Sequence, residues 1–220
     1  MKELITLTRE EAIKSIASAE LALLSSEERI EQLWVMSEAE DWSEAVGWSS
    51  LDASLQQEFE GGPLAHDAGN ERYDPILLIW LRKSYSAATN EFLGSRLETL
   101  GLPRAEVSGE TEPMEACPCC GARSIAGRGE YDICRVCWWE DDGSDNDTAD
   151  QISGPNHVSL VRARANVLLQ GIYDPARADL RDLLHPSGRY ERGRTFELTE
   201  DGQWIREVGV SWVARVSVVA

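Results

Sequence analysis

The stretch Cys117-Pro118-Cys119-Cys120-Gly121, followed by Cys134-Arg135-Val136-Cys137, decides the fold expected for this chain. Four of its five cysteines form two C-x-x-C pairs with thirteen residues between them. Two intervening residues let both sulfurs of a tight turn point at one centre, and four thiolates at about 2.3 Å are typical ligands of a structural zinc ion. The spacing therefore predicts a Zn²⁺ site with the ligands Cys117, Cys120, Cys134 and Cys137.

The two turns of this site, here called knuckles, end on different residues. Gly121 follows the first pair and accepts the positive φ that closes such a turn. Trp138 stands where a glycine would follow the second pair, so we expect that turn to close differently. Four protein ligands leave no open position, which predicts a structural ion. Such an ion contributes of order 10 kcal/mol to folding, and the knuckle segment is predicted to be too polar to fold without it.

Two other roles of cysteine are alternatives. A disulfide framework suits a secreted protein, but residues 1–4 lead directly into a charged helix without the apolar stretch of a signal peptide. A redox C-x-x-C motif is expected within a βαβ pattern, which the sequence around it lacks. Cys119 is interpreted as a spare thiol in the first turn. Its alternatives are to replace Cys117 as a ligand or to release the ion on oxidation.

The charge of the chain is concentrated in its first half. The formal net charge is -18, and residues 1–116 carry 23 acidic and 9 basic side chains. Such a surface repels phosphate backbones and anionic lipids, so it argues against a nucleic-acid partner and indicates a basic protein partner. The alternative is that the charge only provides solubility. No apolar run is long enough to span a bilayer, and we expect a cytoplasmic protein that does not enter a membrane.

Periodic apolar residues predict an acidic helical domain at residues 1–105. Its helix-start signals are the capping boxes beginning at Thr8 and at Ser25, a polar start at Asp52, and Asp74 followed by Pro75. The helix at Asp74, which is the predicted N-cap, is expected to continue toward Phe92. In the second helix, Ile30, Leu33 and Trp34 are expected to face the core.

Two tryptophans of this domain lie in a polar stretch with few apolar neighbours. Aromatic side chains surrounded by carboxylates suit an interface with a basic partner. The candidate partner-binding residues are therefore Trp42, Trp48, Glu38, Glu40, Asp41 and Glu44. Packing of the two tryptophans in the core is the preferred interpretation, and the interface is the alternative.

The rest of the chain is predicted to form a linker (106–116), a zinc module (117–173) and a C-terminal extension (174–220). The acidic residues 140–150 lack the glycine and glutamate that a calcium loop requires. They are interpreted as a solvated loop, with a weak site for a second divalent ion as the alternative.

Two further elements follow. A helix is expected from about Ser159 to Gly171, and Asp201-Gly202 between alternating segments predicts a β-hairpin that residues 210–219 could extend. The predicted fold class is α+β: an N-terminal helical bundle, a zinc-ribbon-like module and a small C-terminal sheet.

Several motifs of the module share the pattern of a known family. They are residues 117–121, 128–134, 136–142 and 153–157, followed by Ser159-Leu160 and Ala163-Arg164. Together they resemble the cysteine-rich CPCC family of small bacterial proteins over about residues 117–171. Arg135 departs from the proline that the family more often has, and residues 1–105 are not covered.

The resemblance implies a module that occurs alone or beside other domains, in settings that include toxin and immunity loci, and it implies no activity. It also directs attention to Asn156 and His157, which could donate hydrogen bonds to the knuckle backbone or sulfurs. A catalytic interpretation would instead make His157 a general base beside Glu140 or Asp142.

Three functions are compared on this basis. The first is a non-enzymatic zinc-binding protein that acts as a protein-binding module, in its most specific form an immunity-type inhibitor of a basic toxin. The second is a metal-dependent enzyme or regulator that uses Cys119 or His157, and the third is a nucleic-acid accessory zinc ribbon. The first is preferred, because a four-cysteine site is closed and no nucleophile, phosphate loop or catalytic triad accompanies it.

Overall fold

The computed structural model describes residues 5–37, 46–61, 67 and 69–216, and these form a mixed α+β fold. The chain divides into two compact units, Met1–Thr111 and Glu112–Ala220, called here the N-terminal and C-terminal units. No helix within the described ranges is both long enough and apolar enough to cross a membrane.

The N-terminal unit is mainly helical. Its elements are β1 (Ile5–Thr8), α1 (Arg9–Leu21), α2 (Ser26–Ser37), α3 (Ala53–Glu60), α4 (Asp74–Tyr85), α5 (Asn90–Thr99) and β2 (Ala105–Ser108), with short 3₁₀ helices at Trp48–Ser50 and Glu71–Tyr73. Strands β1 and β2 pair in parallel. β2 lies within the segment predicted as a linker. It belongs to the folded unit because its alternating pattern buries Ala105 and Val107 against the helices.

The predicted capping boxes are present at both helix starts. The Glu11 carboxylate accepts the Thr8 amide proton at 2.8 Å, and the Thr8 hydroxyl accepts from the Glu11 amide at 3.3 Å. Ser25 and Glu28 make the equivalent pair before α2. These reciprocal bonds satisfy amide groups that the first turn of a helix leaves without partners.

Two details of the predicted α4 are wrong. Tyr73, and not Asp74, is the N-cap, because the 3₁₀ helix Glu71–Tyr73 runs directly into α4 and makes Asp74 its first residue. The helix also ends at Tyr85 instead of continuing toward Phe92. Thr89 begins a new helix, α5, by accepting the Phe92 amide with its hydroxyl.

Two tryptophans of the N-terminal unit differ in burial: Trp48 is buried and Trp34 is exposed. Trp48 is 5% exposed and packs edge-to-face on Phe59, with ring centroids 5.7 Å apart. It is a core residue, as the preferred packing interpretation predicted, and not a partner contact. Trp34, predicted to face the core, is 65% exposed, and Ile30 is exposed with it. Leu33 is buried as predicted.

The C-terminal unit places small strands and one long helix around the cysteines. Its elements are β3 (Glu115–Ala116), β4 (Arg123–Ile125), α6 (Leu160–Gln170), β5 (Phe196–Leu198), β6 (Trp204–Glu207) and β7 (Val213–Arg215), with 3₁₀ helices at Pro175–Leu183 and Ser187–Arg189. Strands β5, β6 and β7 form an antiparallel sheet in that order. The predicted hairpin at Asp201-Gly202 and its third strand are therefore present.

The knuckles and the predicted C-terminal extension share one core. The four cysteines of the two C-x-x-C pairs are buried in a cluster that includes Trp139, Leu160, Phe196 and Ile205. Phe196 and Ile205 come from the sheet β5–β7. Distant strands therefore supply part of the core on which the polar knuckle segment packs.

Candidate metal centre

The two knuckles have the same backbone geometry. In the first, the Cys117 amide donates to the Ala122 carbonyl at 2.8 Å and the Gly121 amide donates to the Cys117 carbonyl at 2.9 Å. In the second, the Cys134 amide donates to Trp139 at 2.9 Å and Trp138 donates to Cys134 at 2.7 Å. Each turn thus holds its two sulfurs on the same side of the chain.

Trp138 adopts the conformation that was expected only of glycine. Its φ is 67°, close to the 80° of Gly121, so the second turn closes in the same way as the first and the predicted difference is wrong. The left-handed conformation costs an ordinary residue roughly 1–2 kcal/mol. The Trp138 ring packs against the core cluster, and the Arg135 guanidinium lies 5.5 Å from its centroid. These contacts offset the backbone cost.

The sulfurs of Cys117, Cys120, Cys134 and Cys137 all lie within 4.8 Å of one another, and all four residues are buried. Cys117 and Cys137 are 3.8 Å apart, and Cys120 and Cys134 are 3.5 Å apart. A tetrahedron of sulfurs at about 2.3 Å from a central ion has edges of about 3.8 Å. The four thiols therefore fit a single metal ion, as the spacing predicted.

Ser124 is a further contact of this site that sequence reasoning missed. It lies on β4 and its hydroxyl is 3.0 Å from the Cys134 sulfur. Burial raises the pKa values of Cys117 and Cys137. For Cys134, hydrogen bonds from the other thiols and from Ser124 outweigh burial and lower the pKa. A lower pKa favours the thiolate of Cys134, and the thiolate is the form that binds a metal.

Cys119 lies outside the four-cysteine cluster. It is buried, with 1% of its surface exposed, beside Cys120 in the wall of a cavity. The structure therefore puts Cys117, and not Cys119, among the four converging sulfurs.

Asn156 and His157 have different surroundings. The Asn156 side chain is buried and makes two hydrogen bonds to the backbone of Glu140. Its oxygen accepts from the Glu140 amide at 3.0 Å, and its nitrogen donates to the Glu140 carbonyl at 2.8 Å. It supports the segment leaving the second knuckle and not the sulfurs themselves. His157 is exposed, and its φ of 58° places it in a tight turn whose amide bonds to Ser153 at 3.0 Å.

The acidic loop after the second knuckle is solvated only in part: Asp147 and Asp150 are exposed as predicted, whereas Asp141 and Asp145 have protein partners. Asp141 is 0% exposed and accepts from the Arg128 side chain and from the Gly129 amide, both at 2.8 Å. Asp145 accepts from Arg128 at 2.9 Å and from Arg194 at 2.7 Å. Burial would raise the pKa of Asp145, but these hydrogen bonds outweigh it and lower the pKa to about 2. Asp141 and Asp145 are therefore neutralised by guanidinium groups.

Arg164 is the central residue of this region, and the sequence showed it only as part of the family motif, without a role. It lies on α6 with no exposed surface, and its guanidinium carbon is 4.1 Å from the Phe196 ring centroid and 4.5 Å from that of Trp212. It donates to the Pro118 carbonyl at 2.8 Å and to the Asn146 side chain at 2.7 Å. Burial lowers the pKa of Arg164 to about 10, so it stays charged at neutral pH. It joins the first knuckle, the acidic loop and the sheet.

The remaining candidates from the sequence are Glu38, Glu40, Asp41, Trp42 and Glu44, the proposed partner contacts. They lie outside the described residues.

Comparison with known families agrees with the resemblance found in the motifs. The model of the family described as cysteine-rich CPCC matches residues 115–184, which covers both knuckles and α6 and extends past Gly171. Comparisons with curated proteins and with solved structures find no match. The C-terminal unit thus contains a segment that is similar to the CPCC family, and the N-terminal unit is outside the matched range.

Proposed function

We propose that Cys117, Cys120, Cys134 and Cys137 bind one structural zinc ion, and that the protein is a non-enzymatic binding module. The observation that carries this proposal is the convergence of four buried sulfurs within 4.8 Å. Four sulfurs in tetrahedral arrangement suit zinc or an iron–sulfur cluster. Zinc is preferred, because sulfur separations of 3.5 and 3.8 Å match the edges of a tetrahedron around a single ion.

Metal analysis of matched serine variants tests the zinc proposal. The purified protein should contain one equivalent of zinc and show no visible absorption from iron–sulfur chemistry. Cys119→Ser should keep that equivalent, since its sulfur is outside the cluster, whereas Cys134→Ser should lose it. An absence of metal, a disulfide among the four cysteines, or loss of the ion in Cys119→Ser would each contradict the proposal.

We further propose that the N-terminal unit binds a basic protein partner through one face of α2. Glu27, Ile30, Glu31 and Trp34 follow the i, i+3, i+4, i+7 spacing of a single helix face, and all four are exposed. We call these four residues the Trp34 face. The opposite stripe, Arg29, Leu33 and Met36, is buried. The solvent side of α2 thus presents a large aromatic ring beside two carboxylates.

This composition matches the chemistry of a basic partner. Tryptophan is enriched among the residues that dominate binding energy, and the carboxylates would steer a cationic surface toward it. An immunity-type role, in which the partner is a basic toxin, is the most specific form of this proposal. It is motivated by the settings of the CPCC family and by the 23 acidic against 9 basic side chains of residues 1–116.

Co-purification with the product of an adjacent gene tests the partner proposal. Trp34→Ala and the double variant Glu27→Lys/Glu31→Lys should each weaken the complex by about tenfold or more, because they remove the anchor or reverse the local charge. The control is Glu106→Lys/Glu110→Lys, which changes the net charge equally at exposed residues away from α2. If the control weakens the complex equally, the total charge of the protein and not the Trp34 face accounts for the loss of binding. Salt-sensitive binding of DNA or RNA with no protein partner would replace the proposal by a nucleic-acid role.

A further inference from the structure

A cavity of about 340 Å³ lies in the C-terminal unit beside the first knuckle. Its wall includes Cys119 and Cys120 on one side and the end of α6, with Val167 and Leu168, on the other. The four sulfurs of the metal site are already directed at one another, so this space is separate from the place of the ion. Its volume is at the small end of the range for ligand pockets.

The charge of the cavity is opposite to that of the protein. Arg164 and Arg192 both line it, and none of the described residues lining it is acidic. Arg192 donates one guanidinium N–H to the Cys120 carbonyl at 2.8 Å, and its side chain is otherwise exposed. Although the chain has a net charge of -18, the arginines in this wall would favour an anion over a cation locally.

His185 adds a neutral hydrogen-bond donor to the same wall. Its Nδ1 is 2.7 Å from the Tyr190 hydroxyl, and the two rings stack with centroids 5.9 Å apart. In the tautomer in which Tyr190 donates to Nδ1, the proton of the neutral ring is on Nε2. Ser187 also lines the cavity, so this tautomer would offer an anion the Nε2–H of His185 and the hydroxyl of Ser187 as a second and a third donor beside Arg192.

The remaining wall is apolar. It is lined by Val136, Val167, Leu168, Leu184 and Phe196. The Arg164 guanidinium carbon lies 4.1 Å from the centroid of the Phe196 ring. A purely inorganic anion would leave this surface without a partner. A ligand with an apolar body would cover it and gain about 25 cal/mol per Å² of apolar surface removed from water.

We infer that this cavity binds a small organic anion, with its carboxylate or sulfonate at Arg192, His185 and Ser187 and its apolar body against Leu168, Leu184 and Phe196. The inference is independent of the partner proposed for the N-terminal unit. It adds a small-molecule site to a protein whose metal site is closed.

Fluorescence titration of the zinc-loaded, full-length protein with 8-anilinonaphthalene-1-sulfonate tests the inference. This probe combines an aromatic body with one sulfonate and should bind with a stoichiometry of one. Octanoate should displace it. Octyltrimethylammonium, with the same chain and the opposite charge, should not displace it, because the cavity wall is cationic.

Two variants and two matched controls locate the binding. Arg192→Gln keeps a donor for the Cys120 carbonyl but removes the charge, and Leu168→Asp puts a carboxylate in the apolar wall. Each should weaken probe binding by about tenfold or more. Arg206→Gln and Leu169→Asp change an exposed arginine on β6 and the exposed neighbour of Leu168, and neither residue lines the cavity. Both controls should bind as the unsubstituted protein does, and zinc content should be equal in all four.

Three outcomes would overturn the inference: no saturable binding, equal weakening in variants and controls, or equal displacement by octanoate and octyltrimethylammonium. A measurement on the unsubstituted protein keeps the test valid if a variant fails to fold. Saturating octanoate should shift the ring resonances of His185 in NMR spectra and leave those of His157 unchanged. Unchanged His185 resonances would also overturn it.

Discussion

The unfolding free energy of the protein should depend on pH through His185, and the surroundings of this residue predict the direction. Burial, and then the positive charges of Arg189 and Arg135, lower the pKa of His185 from 6.5 to about 4. The folded protein therefore takes up this proton only at lower pH than the unfolded chain does. The contribution to stability is fully present above pH 6.5 and is lost as the pH falls from 6.5 toward 4.

The variant His185→Gln should remove this dependence, because glutamine accepts the Tyr190 hydroxyl proton but does not titrate. Between pH 7.5 and pH 5.5 the unsubstituted protein should lose about 1 kcal/mol more unfolding free energy than the variant, after allowance for solvent screening. Urea denaturation of the zinc-loaded protein at both pH values measures the difference. His157→Gln, at an exposed histidine, is the control. A variant and a control with the same pH dependence would show that His185 is not the group responsible.

At the level of single residues, the sequence identified the four converging cysteines but not the residues that contact them and their backbone. Cys117, Cys120, Cys134 and Cys137 could be predicted because their geometry depends on local spacing. Ser124 and Arg164 could not, because their roles depend on contacts across 10 and 46 residues of chain, to Cys134 and Pro118. A buried arginine on the inner face of α6 also contradicts the rule that charged residues lie outside.

At the level of elements, two substitutions of Trp138 can test the left-handed backbone conformation of the second knuckle. Trp138 has a φ of 67° in the turn that Gly121 forms with 80° in the first knuckle. Both Trp138→Gly and Trp138→Ala lose the ring and its contact with Arg135. Only alanine keeps the cost of a left-handed conformation, roughly 1–2 kcal/mol.

We therefore expect Trp138→Gly to be more stable than Trp138→Ala by about 1 kcal/mol, although both are less stable than the unsubstituted protein. Thermal or urea denaturation of the zinc-loaded variants measures this order. Leu169, exposed in the last turn of α6, provides the control. There glycine should be less stable than alanine, by up to about 1 kcal/mol. If glycine is less stable than alanine at residue 138 as well as at residue 169, residue 138 does not have a positive φ.

Element boundaries followed from the sequence where they depend on neighbouring residues. Thr8, Ser25 and Ser159 cap helices, and Gly171 ends one, because each contact spans three or four residues. The parallel pairing of β1 with β2 joins residues 100 positions apart, such as Ile5 and Ala105, and no local signal encodes it. The acidic loop was misjudged for the same reason, since Arg194, a partner of Asp145, comes from the far end of the chain.

At the level of the whole molecule, the two units should respond differently to removal of the metal. The cysteine cluster and its core lie within the C-terminal unit, whereas the capping boxes and apolar clusters of the N-terminal unit are formed by its own residues. Loss of a structural zinc ion removes of order 10 kcal/mol of folding free energy. We expect a chelator, under reducing conditions, to unfold the C-terminal unit and to leave α1, α4 and α5 folded.

Amide hydrogen exchange of the chelated protein can show which residues depend on the ion. The knuckles are bonded to the rest of their unit: Gly193 donates to the Gly121 carbonyl at 2.8 Å and Tyr173 donates to Cys137 at 3.0 Å. Because Phe196 and Ile205 pack on the cysteines, strands β5–β7 should lose protection together with the knuckles. Cys134→Ser should give the same pattern without chelator. If β5–β7 stay protected while the knuckles exchange, the apolar core and not the ion holds the sheet. If α1 also loses protection, the two units do not fold independently.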